Sequence, residues 1–427
     1  MSYRQIPILL LQAANLCSGL GNAMVTIAIP WLVMERLGSA TLAGLVLAAA
    51  SLPPLFIAPV SGWMVDHIGR RAVSISSDIL SASSVLAIPL VSLFFGLTPM
   101  TVFLLAVVGA LFDPAGYTAR KALLTDTARA TGIDQQRLNG IHEGTFGVAW
   151  IAGPALAAWL IAGFGSVSPF WSAAALFLVS ACCIGLLRVG DLGLEARARG
   201  EADTATGGAG LMRGFVVLWQ DRLLRTLTLA LVVIATIYLP TESIVLTAYF
   251  EDLGEPASMG IVISTLSAGA TLGAFGYGWL SARLSRRAML RMTLVGTAAS
   301  ILPMAMLPPL PLLATAAFFL GFFWGPLNPL VTTLIQQRVP ADQQGRVYGA
   351  QMSAFYAVPP LGMVAAGYSV ERWGVADTYL ALAIALVVTA LAAGLSRPLR
   401  RELNPRPPPP APSDFLAIGP LRRVPAT

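Results

Sequence analysis

Long apolar stretches, separated by short polar or charged segments, recur along almost the whole chain. Each is close to or above the roughly 20 residues that a helix needs to cross a bilayer. The pattern therefore predicts an all-α membrane protein with twelve transmembrane helices. The predicted spans, numbered 1 to 12, are 6–34, 40–66, 72–97, 100–125, 137–164, 169–188, 223–250, 256–282, 288–309, 311–337, 344–371 and 375–396.

The composition agrees with this class of protein. Hydrophobic residues make up 56% of the chain and charged residues 11%, and the mean hydropathy is +0.73. A soluble domain needs more charge than this to cover its surface. The first stretch, which begins near Ile6, is too long for a signal-peptide core, so we expect it to be retained as a span. The three cysteines lie in predicted spans, and we expect no disulfide framework.

The positive residues orient the predicted helices. Of the 27 Lys and Arg residues, 25 fall on the side of the two chain ends, and only Arg36 and Arg372 fall on the other. Because positive residues favour the cytoplasmic side, we expect a multi-pass protein of the cell (inner, cytoplasmic) membrane with both termini in the cytoplasm. A basic face beside anionic lipid headgroups accounts for the net charge of +6 without a nucleic-acid partner.

The chain repeats itself at an offset of about 210 residues. Three short strings recur in the same order, which predicts a six-helix unit present twice in parallel orientation. The second copy of the first string has Ala282 in place of Asp66. The pairs are GWMVDHIGRR (62–71) with GWLSARLSRR (278–287), GALFDP (109–114) with GFFWGP (321–326), and DQQ (134–136) with DQQ (342–344).

Polar segments set the predicted domain boundaries. Residues 1–188 and 223–396 form the two six-helix bundles. Residues 189–222 are expected to be a cytoplasmic loop that ends in a short surface helix near 211–219. Residues 397–427 are rich in proline, and we expect a disordered cytoplasmic tail.

Two motifs carry a resemblance to a known family. The string Gly62-x-x-x-Asp66-x-x-Gly69-Arg70-Arg71, between spans 2 and 3, resembles the loop signature of the major facilitator superfamily of secondary transporters. The resemblance covers residues 5–396 and implies that family's fold of two pseudo-symmetric bundles.

Span 5 resembles one branch of the superfamily. Its glycine and proline residues (Gly144, Gly147, Gly153 and Pro154) are similar to the signature of exporting antiporters. The phrases PWLVMERLGSATLAGLVLAAASLPPLFIAPVSGWMVD and GRVYG resemble the branch that contains macrolide and enterobactin exporters. The sequence departs from the pattern because the signature ends in Ala157-Ala158 instead of two glycines. The stretch AVVGALFDPAGY of span 4 also lacks the arginine that drug exporters of a related branch carry, which puts in doubt any coupling that relies on it.

The loop string has a physical interpretation. Asp66 can pair with Arg70, one helical turn later, and can also face the positive N-terminal end of a helix in the other half. The resemblance implies that this loop latches the two halves together on the cytoplasmic side, with Asp126 as a third member. In the alternative interpretation, Asp66 and Arg70 only fix the local fold of the loop. The predicted gating set is Gly62, Asp66, Gly69, Arg70, Arg71 and Asp126.

Four acids lie inside predicted spans away from the span ends and are candidates for carrying protons: Asp78, Asp113, Glu143 and Glu242. A charge at the bilayer centre costs roughly 2.5–3.5 kcal/mol on insertion scales, so such acids usually have a purpose. Asp113 is the first choice, although an Asp before a proline can instead cap a restarted helix. Glu143 can carry protons or pair with a basic residue. Glu242 is a candidate for coupling or substrate contact, and Asp78 is expected to be structural.

Polar and aromatic residues in four spans are candidates for lining a central cavity: Asn15, Asn22, Tyr238, Trp324, Asn328, Gln351 and Tyr356. Asn15 and Asn22 are seven residues apart and therefore share a helix face. The alternative is that the asparagines form hydrogen bonds between helices and that the aromatic residues lie at the lipid interface. A cavity with few fixed charges suits bulky amphipathic compounds.

The hypothesis from sequence is a proton-coupled exporter of amphipathic small molecules that works by alternating access. No ATP-binding string and no clustered metal set is found, so we expect no cofactor and no enzyme activity, with H⁺ as the coupling ion. The expected partners are a small-molecule substrate and the lipid bilayer, and the chain is expected to be monomeric. The alternatives are an importer or uniporter on the same fold, or a lipid-handling or non-transporting scaffold that docks through its tail. Deleting residues 398–427 separates the last of these from a transporter.

Overall fold

The computed structural model describes residues 5–191, 215–339, 341–396 and Leu399, with the side chains at 58, 59, 62, 63, 66 and 341–346 outside the description. The first half contains six membrane crossings, two of which are broken into two helices. Spans 1 to 6 are Ile6–Leu37; Ala40–Ala50 with Leu52–Ile68; Arg70–Phe94; Pro99–Gly109 with Asp113–Thr131; Gln135–Phe164; and Ser168–Leu186.

The second half repeats this arrangement. Spans 7 to 12 are Arg222–Pro240 with the π-helical Thr241–Val245 and Leu246–Leu253; Pro256–Ser281; Arg286–Ala305; Leu310–Trp324 with Leu327–Arg338; Ala341–Ala357 with Pro359–Trp373; and Val375–Leu395. Among the described residues, eleven spans are long and apolar enough to cross a membrane by length and composition. Span 11 is the twelfth predicted crossing, and it is split at Val358 because two prolines follow that residue.

The duplicated strings occupy equivalent places. Span 4 breaks between Gly109 and Asp113, and span 10 breaks between Trp324 and Leu327. In both, a proline (Pro114 or Pro326) lies where the second helix restarts, because a proline in the first turn sacrifices no helical hydrogen bond. The two breaks therefore show in three dimensions the repeat that the strings predict.

The two bundles meet along two seams. Span 5 packs against span 8, and span 2 packs against span 11. By the sequence repeat, span 8 corresponds to span 2 and span 11 to span 5. The two seams are therefore the same contact made twice, as a pseudo-twofold axis along the membrane normal requires.

The outer surface of the bundles is apolar. Large side chains such as Leu93, Phe94 and Trp159 are 71%, 70% and 61% exposed. A soluble protein would not leave so many of these side chains in water, whereas lipid tails cover them without cost. The protein is a multi-pass membrane protein.

The connections between spans define two sides, named here for use below. The basic side carries the start of span 1 at Ile6 and the loops before Arg70 and Arg286. The opposite side carries the turns at Gly38 and Gly254. Residues 215–220 are helical, whereas the rest of the predicted interdomain loop and the predicted tail beyond 396 fall largely outside the described ranges.

Candidate functional site

A chamber lies between the two bundles at the depth of the broken spans. Its larger cavity has a volume of about 470 Å³ and is lined by Asn22, Asp113 and Tyr117 from the first bundle. A second cavity of about 370 Å³ lies against the second bundle. Met352 and Tyr356 line both cavities, so the two adjoin. Each volume is within the range of pockets that hold drug-sized molecules.

Most of the predicted cavity residues lie on this chamber. Asn22 lines the larger cavity, and Trp324, Asn328 and Gln351 line the smaller one. Tyr238 is buried and stacks on Trp324, with ring centroids 5.1 Å apart and an angle of 20° between the planes. It supports the wall from behind.

Asn15 requires a correction. It lies between helices, where its Nδ2 donates to the backbone oxygen of His142 at 3.0 Å, and it is buried. It shares a helix face with Asn22, but its amide is engaged between spans 1 and 5. The alternative of an interhelical hydrogen bond describes Asn15.

Asp113 lies at the start of the restarted helix of span 4 and on the wall of the larger cavity. Its Oδ1 accepts a hydrogen bond of 2.6 Å from Nδ2 of Asn22 in span 1. The helix that begins at Asp113 has no side-chain capping bond. The capping alternative therefore does not describe this residue, whose carboxylate instead joins two spans across the cavity wall.

Asp78 forms a buried ion pair inside the first bundle. Its Oδ1 lies 2.9 Å from Nη1 of Arg120, and both side chains are 3% exposed. Ser18 donates to Oδ1 at 3.2 Å and Ser180 to Oδ2 at 2.6 Å. Four spans (1, 3, 4 and 6) thus converge on one carboxylate, an arrangement that compensates part of the cost of burying a charge.

Arg120 is a residue that the sequence interpretation missed. It was counted with Lys121 among the positive residues of the basic side. The signal that could have found it is its spacing, because Arg120 follows Asp113 by seven residues and therefore lies on the same helix face. Span 4 does carry an arginine. Arg120 lies outside the stretch AVVGALFDPAGY and about two helical turns nearer the basic side than Asp113.

Glu143 pairs with a basic residue, in line with the alternative given for it. Its Oε1 lies 3.0 Å from Nζ of Lys121, and the two side chains are 54% and 43% exposed. The Lys121 ammonium also lies 4.8 Å from the ring centroid of Tyr117. The pair joins spans 4 and 5 on the basic side of the chamber.

Glu242 lies in the π-helical segment of span 7, nearer the opposite side than Asp113. It lines a third cavity, of about 190 Å³, between the bundles. Sequence reasoning placed Glu242 in span 7 but could not foresee the π-helical turn.

The glycines of span 5 allow close helix packing. A Cβ on Gly153 would overlap Ala23 of span 1, and a Cβ on Gly147 would lie 3.1 Å from Cγ2 of Thr271 in span 8. Gly260 of span 8 in turn faces the backbone oxygen of Pro154. Gly144 is less crowded, since its nearest neighbour is Phe275 at 3.8 Å. Gly144, Gly147 and Pro154 thus lie on the seam between spans 5 and 8, and Gly153 lies on the contact with span 1.

The loop string between spans 2 and 3 is tied to the first bundle. Nη1 of Arg70 lies 2.7 Å from Oδ1 of Asp126 at the end of span 4. Asp191, which sequence reasoning did not name, accepts the backbone N–H of Arg70 at 2.7 Å. Arg71 donates to the backbone oxygens of Ile184 and Gly185 at the end of span 6.

Gly69 and Asp66 complete the description of this loop. Gly69 adopts a φ of +100°, in the region that favours glycine, which permits the sharp connection between spans 2 and 3. The side chain of Asp66 and the surroundings of Gly62 lie outside the described part of the structure. The predicted pairing of Asp66 therefore stays a prediction.

The opposite side is closed by a contact between the bundles that sequence reasoning did not anticipate. Glu371 of span 11 accepts hydrogen bonds from Ser39 Oγ at 2.7 Å, Thr41 N at 2.9 Å and Thr41 Oγ1 at 2.6 Å. These groups form the N-terminal turn of span 2, where helix amides and the helix dipole favour a carboxylate. A Cβ on Gly44 or Gly367 would collide with the backbone oxygen of Met363 or Ala40 in the partner span.

Within the described ranges there is no group of three His, Cys, Asp or Glu side chains that could hold a metal ion. The chamber offers hydrogen-bonding, aromatic and apolar groups around one carboxylate, which suits binding without bond making.

Comparison with known proteins identifies the family. A sequence profile of the Major Facilitator Superfamily matches residues 12–249 and 242–427. The chain is 37% identical over 401 residues to the multidrug efflux pump Tap of Mycolicibacterium fortuitum, covering 93% of this chain and 97% of that protein. It is 35% identical over 406 residues to the multidrug efflux pump Tap of Mycobacterium tuberculosis, covering 94% and 96%.

Solved structures share the fold at low identity. The nucleoside transporter NupG superposes with a TM-score of 0.73 at 14% identity, covering 91% of this chain and 98% of that one. A D-xylose–proton symporter superposes with a TM-score of 0.68 at 13% identity, covering 92% and 97%. The profile match, the relatives and the twelve spans in two related bundles lead to one conclusion: the chain belongs to the Major Facilitator Superfamily of transporters.

Proposed function

We propose that this chain exports amphipathic small molecules across the cell membrane in exchange for protons, by alternating access. Its relatives of 35–37% identity are multidrug efflux pumps, and they match over more than nine-tenths of the chain. The observation that carries the proposal is Asp113, an acid at membrane depth on the wall of a drug-sized chamber between two bundles.

The chamber favours amphipathic cargo. Its walls are mostly apolar and aromatic, with Phe355, Tyr356 and Trp324 on the second bundle and Phe177 on the first. Asn22, Asn328 and Gln351 supply a few hydrogen-bonding groups that can orient a ligand without selecting one scaffold. Sugars and small anions would need more polar partners than this chamber provides.

Asp113 is the proposed proton carrier. A charged carboxylate only accepts hydrogen bonds, whereas a protonated one also donates. Proton binding would therefore change the bond from Asn22 and, with it, the contact between spans 1 and 4. Each proton that returns to the cytoplasm supplies about 2.3 kcal/mol per 100 mV of membrane potential, in addition to any pH gradient.

Two contacts are the proposed gates. On the opposite side, Glu371 holds the N-terminal turn of span 2. On the basic side, which we propose to be cytoplasmic, Asp66 with Arg70 and Asp126 latches the halves when the cargo site opens outward. The proposed protein works as a monomer and needs no cofactor besides the coupling ion H⁺.

The test is transport by the purified full chain in proteoliposomes with an imposed pH gradient of either sign, against a panel of amphipathic dyes. Export predicts that dye moves against the inward proton gradient and that proton flux accompanies it. An importer would move dye and protons in the same direction, and a uniporter would ignore the gradient.

Asp113→Asn should abolish proton-driven accumulation while leaving dye exchange down its own gradient. Asp252→Asn, an exposed acid outside the chamber, is the control and should transport normally. Normal proton-driven transport by Asp113→Asn would rule out this residue as the carrier.

A further inference from the structure

Span 7 contains an irregular turn that places an acid between the bundles. The π-helical segment Thr241–Val245 follows Pro240, whose ring removes a backbone donor from the helix. Single π-helical turns inside α-helices frequently mark functional sites. Here the irregular turn directs two successive side chains, Glu242 and Ser243, into one small cavity.

We call this cavity of about 190 Å³ the Glu242 pocket. Spans 1, 5, 7, 8 and 11 all contribute to its walls, so it lies between the bundles. Its apolar walls include Ile27, Ile263 and Met363, and its polar groups come from Thr26, Trp150 and Glu242. Drug-sized ligands need roughly 300–1,000 Å³, so this pocket can take only one group of a larger molecule.

The Glu242 pocket adjoins the chamber. Thr26 lines both this pocket and the larger cavity. A run of aromatic rings follows the same direction: Tyr117, on the chamber wall, lies 5.6 Å from Phe146, and Phe146 lies 6.1 Å from Trp150 of the pocket. A molecule held in the chamber can therefore extend one group past Thr26 toward Glu242.

The hydrogen-bonding groups of the pocket are mainly acceptors. The hydroxyl of Thr26 donates to the backbone oxygen of Asn22, and that of Ser243 donates to the backbone oxygen of Leu239. Each hydroxyl is thereby left with its oxygen lone pairs facing the pocket. The Glu242 carboxylate adds the strongest acceptor, and Tyr238 approaches it one turn earlier in span 7.

The charge of the pocket is unbalanced. In the parts of the chain that the structure describes, no Lys, Arg or His forms an ion pair with Glu242. Two other membrane acids have a cationic partner: Asp78 pairs with Arg120, and Glu143 pairs with Lys121. Asp113 has a neutral partner, the amide of Asn22. The buried indole nitrogen of Trp150 donates to no described acceptor either.

We propose that the Glu242 pocket binds the protonated amine of cationic cargo and thus acts as a charge-selective subsite of the chamber. An alkylammonium group offers hydrogen-bond donors and a positive charge to a pocket of acceptors. It is also attracted to aromatic rings such as that of Trp150. The Trp150 N–H can donate a hydrogen bond to an acceptor atom of the cargo next to its amine. This inference rests on the proposed export of amphipathic compounds.

The test compares two probes that share a fluorophore and differ in the charge of the terminal nitrogen. Dansyl ethylenediamine carries a primary amine, and its N-acetylated form is neutral with the same fluorophore. Each is titrated by fluorescence against the purified full chain in lipid nanodiscs. We expect the wild-type protein to bind the amine at least about tenfold more tightly than the acetylated probe, a difference of about 1.4 kcal/mol.

Glu242→Gln should remove this preference by weakening amine binding about tenfold, with little effect on the acetylated probe. Glu242→Asp, which keeps the charge, should retain the preference in part. Glu251→Gln is the matched control, because it removes an acid from the same span outside the pocket. Trp150→Phe keeps the ring and should retain the preference for the amine.

Three results would overturn the inference. The first is an unchanged preference for the amine in a folded Glu242→Gln protein. The second is an equal loss of binding affinity for both probes in that variant. The third is equal affinity of the wild-type chain for the two probes. Proteoliposome transport tells this failure apart from that of the proposed function. If a pH gradient drives transport of both probes equally well, the proposed function stands and only the charge-selective subsite is refuted.

Discussion

Two neighbouring side chains, Arg120 and Lys121, show how strongly a position on a helix decides the role of a charge. Successive residues on a helix point about 100° apart. Arg120 therefore enters the first bundle and pairs with Asp78, whereas Lys121 faces Glu143 and is half-exposed. The two neighbouring residues thus form one buried ion pair and one exposed ion pair on the basic side of the chamber. The energetic consequences of the two pairs should differ accordingly.

Removing one partner of the buried pair should destabilise the protein by about 3–5 kcal/mol, because an unpaired charge remains in the bundle. We expect Asp78→Asn or Arg120→Gln alone to lower the Tm in detergent markedly. The double variant should be more stable than the less stable single variant, since neither charge is left alone. Glu143→Gln should change the stability by less than about 1 kcal/mol, as surface pairs do. Equal effects at both pairs would contradict this assignment.

At the scale of elements, the seam between spans 2 and 11 closes the opposite side through small residues. Gly44 and Gly367 allow the backbones of the two helices to approach closely. Glu371 adds three hydrogen bonds at the N-terminal turn of span 2. The seam therefore combines a steric requirement with a polar lock, and each can be disturbed separately.

Gly44→Val should prevent the seam from closing, because its side chain would occupy the place of the Met363 carbonyl. We expect a cysteine placed in span 2 near its end on the opposite side of the membrane to be labelled faster, and we expect transport to be slower. Gly163→Val is the control, since no other atom lies within 4 Å of the Cβ it would add. Unchanged labelling in Gly44→Val would show that the seam tolerates bulk and is not a steric gate.

At the scale of the whole molecule, the fold could largely be predicted from sequence. The contacts between polar side chains of different spans could not. Hydropathy locates each span by itself, and the repeated strings reveal the two bundles. Helix rotation and depth decide contacts, and these depend on packing between distant segments. Asn15 and Asn22 share a face, yet only Asn22 lines the chamber. Glu371 lies beside Arg372 at the end of a span, and nothing in the local pattern indicates its partner in span 2.

The two gates should act in opposite directions on one equilibrium. Glu371→Gln weakens the lock on the opposite side and should raise the population that is open there. Asp66→Asn weakens the proposed latch on the basic side and should raise the population that is open to that side. The double variant should return toward the wild-type balance, as independent contributions add. Spin-label distances between spans 2 and 11 measure these populations, and a shift in the same direction for both single variants would refute the scheme.

The breaks in spans 4 and 10 have a consequence for the solvent inside the protein. Non-helical backbone at membrane depth is tolerated only where protein buries it or water reaches it. Gly109, Ala110 and Asp113 border the larger cavity, and Trp324 and Leu327 border the smaller one. Hydration at these main-chain groups would create a wet layer halfway through the bilayer. A transported compound would then stay partly hydrated in the chamber, so that its desolvation need not limit the rate of transport.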